Sequence, residues 1–378
     1  MGQAPDTHCP LEEVFTPGAP VRDPSRYLGR ERQLASASAA LSEPGRHLLI
    51  PGEPGVGRTS FALAAVSQRP FRYHAVGLDD TFQRVLVRLL DADLPAEGRP
   101  GSDPADRESI SPWHLIDAPL PAEPASVIVM DDLDRASGVS LSECVLPLLR
   151  ALSDSGASTK LVLTLRRDRP FPAVLSGAGL RLHAIALDRM DEASLRAIID
   201  RGGTLTGLRF APPLRDRIVQ DADGLPGVVH SLCLGAARAA RARGSRTANL
   251  GRDYLPALEG LVSSLGPGLE AKYEEATSAR SRVNRYEHLL WAAALSPDSC
   301  FDMSSLEAGL ERIEGRPVAP QAFAVHLGDL LKREILTRLR EGQYRFKDPA
   351  MRAYVRLLLR RDRPALMGDD PLQLALPY

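Results

Sequence analysis

Lysine is nearly missing from this 378-residue sequence, because only four of its 47 basic residues are lysine and the rest are arginine. This excess of arginine, together with abundant alanine and proline, is typical of a GC-rich genome, so arginine can stand where lysine is usual. Basic and acidic residues nearly balance, at a formal net charge of −1. No overall charge therefore draws the chain to nucleic acid or to a membrane surface.

Cysteine and long apolar runs are also scarce. The four cysteines are widely spaced and form no Cys-x-x-Cys pair, which indicates a reducing compartment and argues against a zinc site. We find no basic-plus-apolar leader and no apolar run near the ~18 residues of a membrane helix, so we expect a cytoplasmic protein without membrane contact. The length predicts two or three domains.

A glycine-rich turn between an apolar run and an alanine-rich stretch is the strongest pattern in the chain. Strand, glycine loop and helix follow one another between residues 47 and 65, which predicts a phosphate-binding P-loop. Glycines let backbone N–H groups face a phosphate, and the helix N-terminus adds partial positive charge. The spacing Gly-x-x-x-x-Gly-x-Thr is met by Gly52, Gly57 and Thr59, but Arg58 takes the place of the expected lysine.

Two aspartates end a second apolar run. Residues 127–130 are Val-Ile-Val-Met, as expected of a strand buried on both faces of a parallel sheet, and Asp131 and Asp132 follow. Ligands bind at the carboxyl ends of strands in open α/β sheets. One carboxylate can hold a magnesium ion or its water, and the next can polarise an attacking water. The pattern predicts a site for Mg²⁺ and ATP.

Strand and helix patterns alternate over residues 26–190, which predicts a three-layer α/β domain with a parallel sheet. Thr164 lies near the end of one predicted strand, and Arg181 directly precedes another. A helix is expected after Asp80, and a proline-rich surface loop over 93–124. Further strands are expected at 71–76, 160–166 and 182–187.

The remaining sequence suggests additional domains. The proline- and glycine-rich N-terminus is predicted to be an extended arm on the α/β domain. Beyond residue 190 the pattern is helical, and after residue 271 three helical segments precede two short strand-like runs, an order typical of a winged helix. The predicted domains are an N-terminal arm (1–25), a P-loop nucleotide-binding domain (26–190), a helical lid (191–270), a winged-helix domain (271–362) and a loosely ordered tail (363–378).

The last predicted helix carries arginines at helical spacing. Arg352, Arg356 and Arg360 are expected to form an outward stripe, which is usually a solvated face. Residues 271–361 contain 16 basic against 12 acidic residues, a modest excess for a DNA-binding domain. DNA binding through the winged helix stays open, beside the alternative that this domain packs on the nucleotide domain and reports its state.

Together these motifs resemble the AAA+/STAND class of P-loop ATPases. The resemblance is closer to bacterial and archaeal members allied to origin-initiator and transposition-regulator ATPases. It covers residues 26–361 in architecture, although few residues carry specific motifs. Those that carry it are Gly29-Arg30-Glu31, Gly52–Thr59, Val127–Asp134, Thr164 and the Gly224-Leu225-Pro226 turn.

The resemblance implies roles for individual residues. Thr59 and Asp131 would hold Mg²⁺, Asp132 would orient water, and Thr164 would be a sensor. Arg181 would be an arginine finger that reaches the nucleotide of a neighbouring subunit. The residues implied in ATP binding are Gly29, Arg30, Gly52, Glu53, Pro54, Gly55, Val56, Gly57, Arg58, Thr59, Ser60 and Pro226.

Two departures from the pattern of the class predict slow hydrolysis. Arg58 replaces the P-loop lysine, and Asp132 stands where many AAA+ enzymes have glutamate. We expect an ATP-dependent switch that forms a homo-oligomer and engages a protein or nucleic-acid client. The alternatives are a DNA-bound assembly ATPase similar to transposition or replication regulators, a regulatory or defence signalling module with little or no hydrolysis, and a scaffold with a decayed site.

Overall fold

The computed structural model describes residues 8–78, 80, 127–135, 139–167, 177–278, 284–339 and 342–368. The chain divides into two compact units. We call Ala19–Arg189 the sheet unit, and Met1–Gly18 together with Met190–Tyr378 the helical unit. The helix predicted after Asp80 and the loop predicted over 93–124 lie outside the described residues.

The N-terminal segment does not follow its prediction. It contains a short helix, α1 (Leu11–Val14), and residues 8–18 belong to the helical unit instead of the α/β domain. Phe15 is buried there and packs against Gly202. A Cβ added to that glycine would lie only 2.4 Å from the Phe15 ring. The apolar side chains of Leu11, Val14 and Phe15 fall on one face, which explains why the segment packs as a helix and not as an extended arm.

The sheet unit has a five-stranded parallel sheet in the order β2-β3-β4-β1-β5. The apolar runs found in the sequence form strands buried in the sheet, because helices cover both of its faces. The predicted α/β fold with a parallel sheet is thus confirmed. The strands are β1 (His47–Gly52), β2 (Phe71–Ala75), β3 (Val127–Asp131), β4 (Lys160–Arg166) and β5 (Leu182–Ala184), and the helices are α2 (Glu31–Ser42), α3 (Arg58–Val66) and α4 (Val139–Asp154).

Nine helices and five short strands follow in the described part of the helical unit. Asp191 caps the first of these helices, since its carboxylate accepts a hydrogen bond of 2.7 Å from the Ser194 N–H. The helices are α5 (Glu192–Thr206), α6 (Pro212–Ala222), α7 (Pro226–Ala242), α8 (Leu250–Leu265), α9 (Pro267–Thr277), α10 (Arg285–Leu295), α11 (Met303–Glu314), α12 (Ala324–Lys332) and α13 (Pro349–Asp362). The strands are β6 (Arg209–Phe210), β7 (Thr247–Ala248), β8 (Cys300–Phe301), β9 (Leu336–Arg338) and β10 (Tyr344–Phe346).

One hydrophobic core runs through the whole helical unit. The three helices and the hairpin predicted after residue 271 are present, and β8 joins them in an antiparallel sheet of order β8-β10-β9. The predicted lid and winged helix therefore share a core, and their border near residue 270 stays a prediction. Of the predicted tail, residues 364–366 form a turn of 3₁₀ helix and Met367 is buried. None of the described helices is long and apolar enough to cross a membrane.

The arginine stripe of the last helix is not on the surface. Arg352 and Arg356 are 4% and 1% exposed, so the predicted outward position is wrong for both. Their guanidinium groups lie 3.6 and 3.2 Å from Asp221 of α6, and Arg217 Nε is 2.8 Å from the same carboxylate. The buried Tyr254 hydroxyl also donates to it. We call Asp221, Arg217, Tyr254, Arg352 and Arg356 the Asp221 cluster.

The Asp221 cluster joins the helix α6 to the C-terminal helix α13. A buried arginine is tolerated only when its charge is paired, so the carboxylate of Asp221 explains why α13 turns this face inward. The alternative sequence interpretation, a basic stripe facing nucleic acid, needed Arg352 and Arg356 in solvent. Burial also raises the pKa of Tyr254, which therefore stays a hydrogen-bond donor.

Two histidines, the buried His47 and the half-buried His230, should make the fold sensitive to acid. The Nδ1 atoms of His47 and His230 accept backbone N–H bonds of 2.9 and 3.0 Å, and burial lowers the pKa of each to about 4. The unfolded chain binds these protons near pH 6.5 and the folded chain only near pH 4. Stability should therefore fall as the pH falls from 6.5 to 4, by up to about 3 kcal/mol for each histidine.

Urea unfolding at pH 7 and at pH 4.5 measures this loss. His47→Gln should lose less stability between the two pH values than the wild type. His183→Gln replaces a histidine whose hydrogen bond to Ser36 is exposed, and it should keep the wild-type difference. If the wild type and His47→Gln lose the same free energy of unfolding between the two pH values, the lowered pKa of His47 does not cause the acid sensitivity.

Candidate functional site

The loop after β1 has a shape that requires glycine. Gly55 and Gly57 have φ angles of +79° and +92°, a region that side chains other than glycine rarely adopt. A Cβ on Gly52 would lie 2.7 Å from Cγ1 of Val56. The loop therefore folds tightly over its own start before α3 begins at Arg58. Backbone N–H groups at such a helix N-terminus form a binding site for anions.

Three hydroxyl groups converge on one buried carboxylate beside this loop. Asp131 ends β3, is 3% exposed, and accepts hydrogen bonds from Thr59 and Tyr73, each to Oδ2, at 2.7 and 2.8 Å. Thr164 of β4 donates a third, to Oδ1. Three strands and helix α3 thus bring together Thr59, Asp131 and Thr164, which the sequence placed in one site. Hydroxyl and carboxylate oxygens are the donors that Mg²⁺ prefers.

Asp132 has an unusual backbone conformation. Its φ angle is +54°, which aspartate tolerates better than most residues, and its N–H donates to Thr164 Oγ1 at 2.8 Å. This conformation turns its carboxylate toward Arg58, whose Nη2 donates to Oδ1 at 2.8 Å. Burial raises the pKa of the Asp132 carboxyl, and the charge of Arg58 opposes that rise.

Arg58 is held by acidic residues on the strand-end side of the site. Besides Asp132, it lies 3.9 Å from the carboxylate of Asp134, which in turn accepts the Arg166 N–H at 2.9 Å. The Arg58 side chain is only 11% exposed, and its Nη1 has no hydrogen-bond partner within the described parts of the chain. The cation of the loop is therefore paired with the acidic turn after β3.

Some predicted residues support the loop. The buried Arg30 donates from Nη2 to the carbonyl groups of Val56 and Asp188 at 3.2 and 2.8 Å, so its guanidinium fixes the loop. Gly29 has a φ angle of +82° directly before it. Glu53 pairs with Arg189 at 2.9 Å, and Ser60 Oγ accepts the Val21 N–H at 3.0 Å. Contacts of these residues with nucleotide stay predictions.

Arg181 lies at the other edge of the sheet, and Pro226 belongs to the helical unit. Arg181 directly precedes β5, and because the strands are parallel it lies at the sheet edge opposite to Asp131. Its guanidinium pairs with Asp154 at 2.7 Å and is 40% exposed. It therefore takes no part in the site of its own chain, and its role as a finger on a neighbouring subunit stays a prediction. Pro226 is the first residue of α7 in the helical unit.

Sequence reasoning missed Tyr73 and Asp134. Tyr73 lies in the middle of β2, next to Val129 of β3. No sequence motif around it predicts that its hydroxyl contacts Asp131. Asp134 is part of the Asp-Asp-Leu-Asp run, so the acidic composition was visible. Its pairing with Arg58 was not, because it depends on the 3₁₀ turn over Leu133–Arg135.

A tight glycine loop that links a parallel strand to a helix, with a threonine hydroxyl on a strand-end aspartate, is the phosphate-binding arrangement of P-loop NTPases. The chain has the fold and the loop of this class. A family model described as "Novel STAND NTPase 1" matches residues 20–286, well over half of the chain. The protein belongs to this family, and membership implies that it binds a nucleotide.

Solved structures support the fold. The Walker-type ATPase PABY2304 of Pyrococcus abyssi is 16% identical, with a TM-score of 0.57, over 91% of this chain and 99% of that one. Cdc6p from Pyrobaculum aerophilum is 16% identical, with a TM-score of 0.50, over 93% and 98%. The Aeropyrum pernix Orc1 protein, solved in complex with DNA, is 14% identical, with a TM-score of 0.50, over 95% and 96%. No curated protein matches the sequence.

Proposed function

We propose that the protein is an ATP-binding switch that assembles with copies of itself when Mg²⁺ and ATP are bound, and that it hydrolyses ATP slowly. The observation that carries this proposal is the pairing of Arg58 with Asp132. In this arrangement the cation of the P-loop and the carboxylate that would orient water neutralise each other. Such a site can hold nucleotide while its turnover is limited.

The residues present fit a magnesium nucleotide. The glycine loop can surround phosphates with backbone N–H groups, and the Thr59 hydroxyl and Asp131 carboxylate offer the oxygen ligands that the ion needs. When bound, Mg²⁺ neutralises charge on the phosphates. Thr164 contacts both Asp131 and the backbone of Asp132, so it connects the two carboxylates as a sensor would.

Slow hydrolysis follows from the position and shape of two side chains. Asp132 must release Arg58 before its carboxylate can orient water, and aspartate is one methylene shorter than the glutamate found in many AAA+ enzymes. Arginine is also a planar fork on a longer arm, so it does not reproduce the compact charge of a lysine ammonium. Phosphoryl transfer depends on such positioning more than on covalent help from the protein.

The client of the switch is a protein or a nucleic acid. The Orc1 protein of similar fold was solved with DNA, but a likeness of this degree concerns the fold alone. Two of the three arginines that would have formed a DNA-facing stripe are buried in the Asp221 cluster. We therefore favour the switch with a protein client over the DNA-bound assembly ATPase.

Light scattering after size exclusion, with and without Mg²⁺ and ATP, tests the proposal. The molar mass measured for the wild type should increase with Mg²⁺ and ATP, because copies of the chain assemble. Asp131→Asn should lose both the gain in mass and the thermal stabilisation by ATP, because it removes the charge that holds Mg²⁺. Arg181→Ala should keep the thermal stabilisation and lose the assembly. Arg46→Ala is its matched control, since Arg46 also precedes a strand at that sheet edge and pairs with Glu43.

Three results would each decide against a part of the proposal. Absence of any stabilisation by ATP in the wild type indicates a scaffold with a decayed site. Assembly that persists in Arg181→Ala removes that residue from the finger role. Assembly that requires duplex DNA, with an affinity that falls steeply with salt, supports the DNA-bound alternative.

A further inference from the structure

Two adjoining cavities lie at one end of the helical unit. The larger has a volume of about 570 Å³ and the smaller about 280 Å³, and both are lined by Gly207, Leu208 and Arg246. We call them together the arginine hollow. Gly203 and Thr247 also line the larger cavity. The arginines in its wall are Arg209, Arg215, Arg241 and Arg246.

The fold brings these arginines together from two distant segments. Helix α5 ends at Thr206 and α7 at Ala242, and the short strands that follow pair in parallel, with Arg209 opposite Thr247. The Arg209 N–H donates to the Arg246 carbonyl at 2.8 Å. The segment after each helix therefore contributes arginines to the same hollow. Between residues 201 and 247 there are eight arginines and three acidic residues, in a chain with almost no net charge.

Arginine outnumbers acidic residues in the described wall of the hollow. Asp200 is the one acidic residue there among the described residues, and it pairs with Arg215 at 3.1 Å. Helices α5 and α7 end beside the hollow, and the C-terminus of a helix carries about half a negative charge. The described wall thus holds four guanidinium groups and one carboxylate.

The arginine hollow has guanidinium groups that can receive a ligand. Arg209 is exposed and forms no salt bridge or side-chain hydrogen bond with any residue that the structure describes. Arg241 donates from Nη2 to the Thr206 carbonyl at 3.2 Å, which leaves further N–H groups of its fork available. Thr204, Ser245 and Thr247 also line the wall, and the hydroxyls of Thr204 and Ser245 donate to the carbonyls of Asp200 and Thr247 at 3.0 and 2.8 Å.

We propose that the arginine hollow binds a small phosphorylated molecule. A phosphate ester carries about 1.5 to 2 negative charges near neutral pH, which suits a wall with more arginines than carboxylates. Arginine forks bind phosphate oxygens in pairs of hydrogen bonds. This site is separate in the chain from the P-loop, and the proposal does not depend on the nucleotide site.

The dimensions favour a small molecule over a nucleic-acid strand. Pockets for small ligands have volumes of about 300–1,000 Å³, and the larger cavity falls in this range. A strand would need a groove that tracks its backbone and aromatic side chains for its bases. The only aromatic side chains that line the hollow within the described chain are Phe210, which is buried, and His8.

Protection of arginine from phenylglyoxal, read by mass spectrometry for each residue, tests the proposal in the full-length protein. Inorganic pyrophosphate is the probe, without Mg²⁺. It should slow the modification of Arg209 and leave that of Arg238 unchanged, because Arg238 is exposed on α7 but outside the hollow. In Arg246→Ser the pyrophosphate concentration for half-protection of Arg209 should rise about tenfold, as expected for the loss of a charged hydrogen bond. Arg238→Ser should keep the wild-type value.

Two outcomes would overturn the proposal. The first is equal modification of Arg209 with and without pyrophosphate at millimolar concentration. The second is protection of Arg209 by a ten-nucleotide thymidine strand at lower concentration than by pyrophosphate, which would make the hollow a binding site for nucleic acid. Because the assay follows Arg209 itself, binding of pyrophosphate at the P-loop cannot imitate the expected result.

Discussion

Replacing Asp221 with asparagine should lower the free energy of unfolding of the helical unit by about 3 to 5 kcal/mol. The substitution keeps the shape of the side chain and removes the negative charge that Arg217, Arg352 and Arg356 share. The side chains of Arg352 and Arg356 are only 5% and 2% exposed, so their charges would stay buried after the charge of this carboxylate is lost. Urea unfolding followed by circular dichroism measures the loss.

A surface pair on α13 is the matched control for Asp221→Asn. Asp362 pairs with Arg361 at the end of α13, and both side chains are more than half exposed. Asp362→Asn should leave the unfolding midpoint unchanged, because solvent screens an exposed pair. Adding Arg356→Met to Asp221→Asn should recover part of the lost stability, since it removes one of the buried positive charges that Asp221 neutralised. If Asp221→Asn unfolds at the same urea concentration as Asp362→Asn, the cluster does not stabilise the fold.

Replacing Arg58 with lysine should raise the rate of ATP hydrolysis about ten- to a hundredfold. Lysine keeps the positive charge but lacks the guanidinium fork, whose Nη2 binds Asp132 at 2.8 Å and whose Nη1 lies 3.9 Å from Asp134. The Asp132 carboxylate would then be available to orient water, and a positioned base of this kind contributes about 10²–10⁴ in rate. Release of phosphate at saturating Mg²⁺ and ATP measures the change.

Two further variants show whether the gain comes from Asp132. Asp132→Asn should remove the gain when it is added to Arg58→Lys. Arg150→Lys changes an exposed arginine of α4 and should leave the rate as in the wild type. A fast wild type that lysine does not improve would show that the pairing of Arg58 with Asp132 does not limit turnover.

The local sequence was sufficient for much of the nucleotide site. Consecutive apolar residues before Gly52 and Asp131 predicted strands buried in a parallel sheet, and such strands place their ends at one edge. The structure confirms that fold, and it brings Thr59 to Asp131 and Thr164 to Asp131. Spacing was informative here because each motif lies within one strand and the turn that follows it.

The arginine stripe shows where sequence reasoning failed. Helical spacing correctly placed Arg352 and Arg356 on one face of α13, but it could not tell what lies opposite that face. Asp221 is more than 130 residues away in the chain, and only the packing of α6 on α13 makes it their partner. The prediction for the N-terminal segment was wrong for the same reason. Phe15 packs against Gly202, a residue far away in the chain.

The sequence by itself therefore determined the class of fold, the P-loop and the acidic strand end, since these depend on short-range spacing and on burial of apolar runs. The tertiary structure decided which charges are neutralised and by which partners. It paired Arg58 with Asp132, buried two arginines on Asp221, and gathered the arginines of the hollow from two helix ends. Electrostatic pairing depends on distances between residues far apart in the chain, and those distances exist only after the chain has folded.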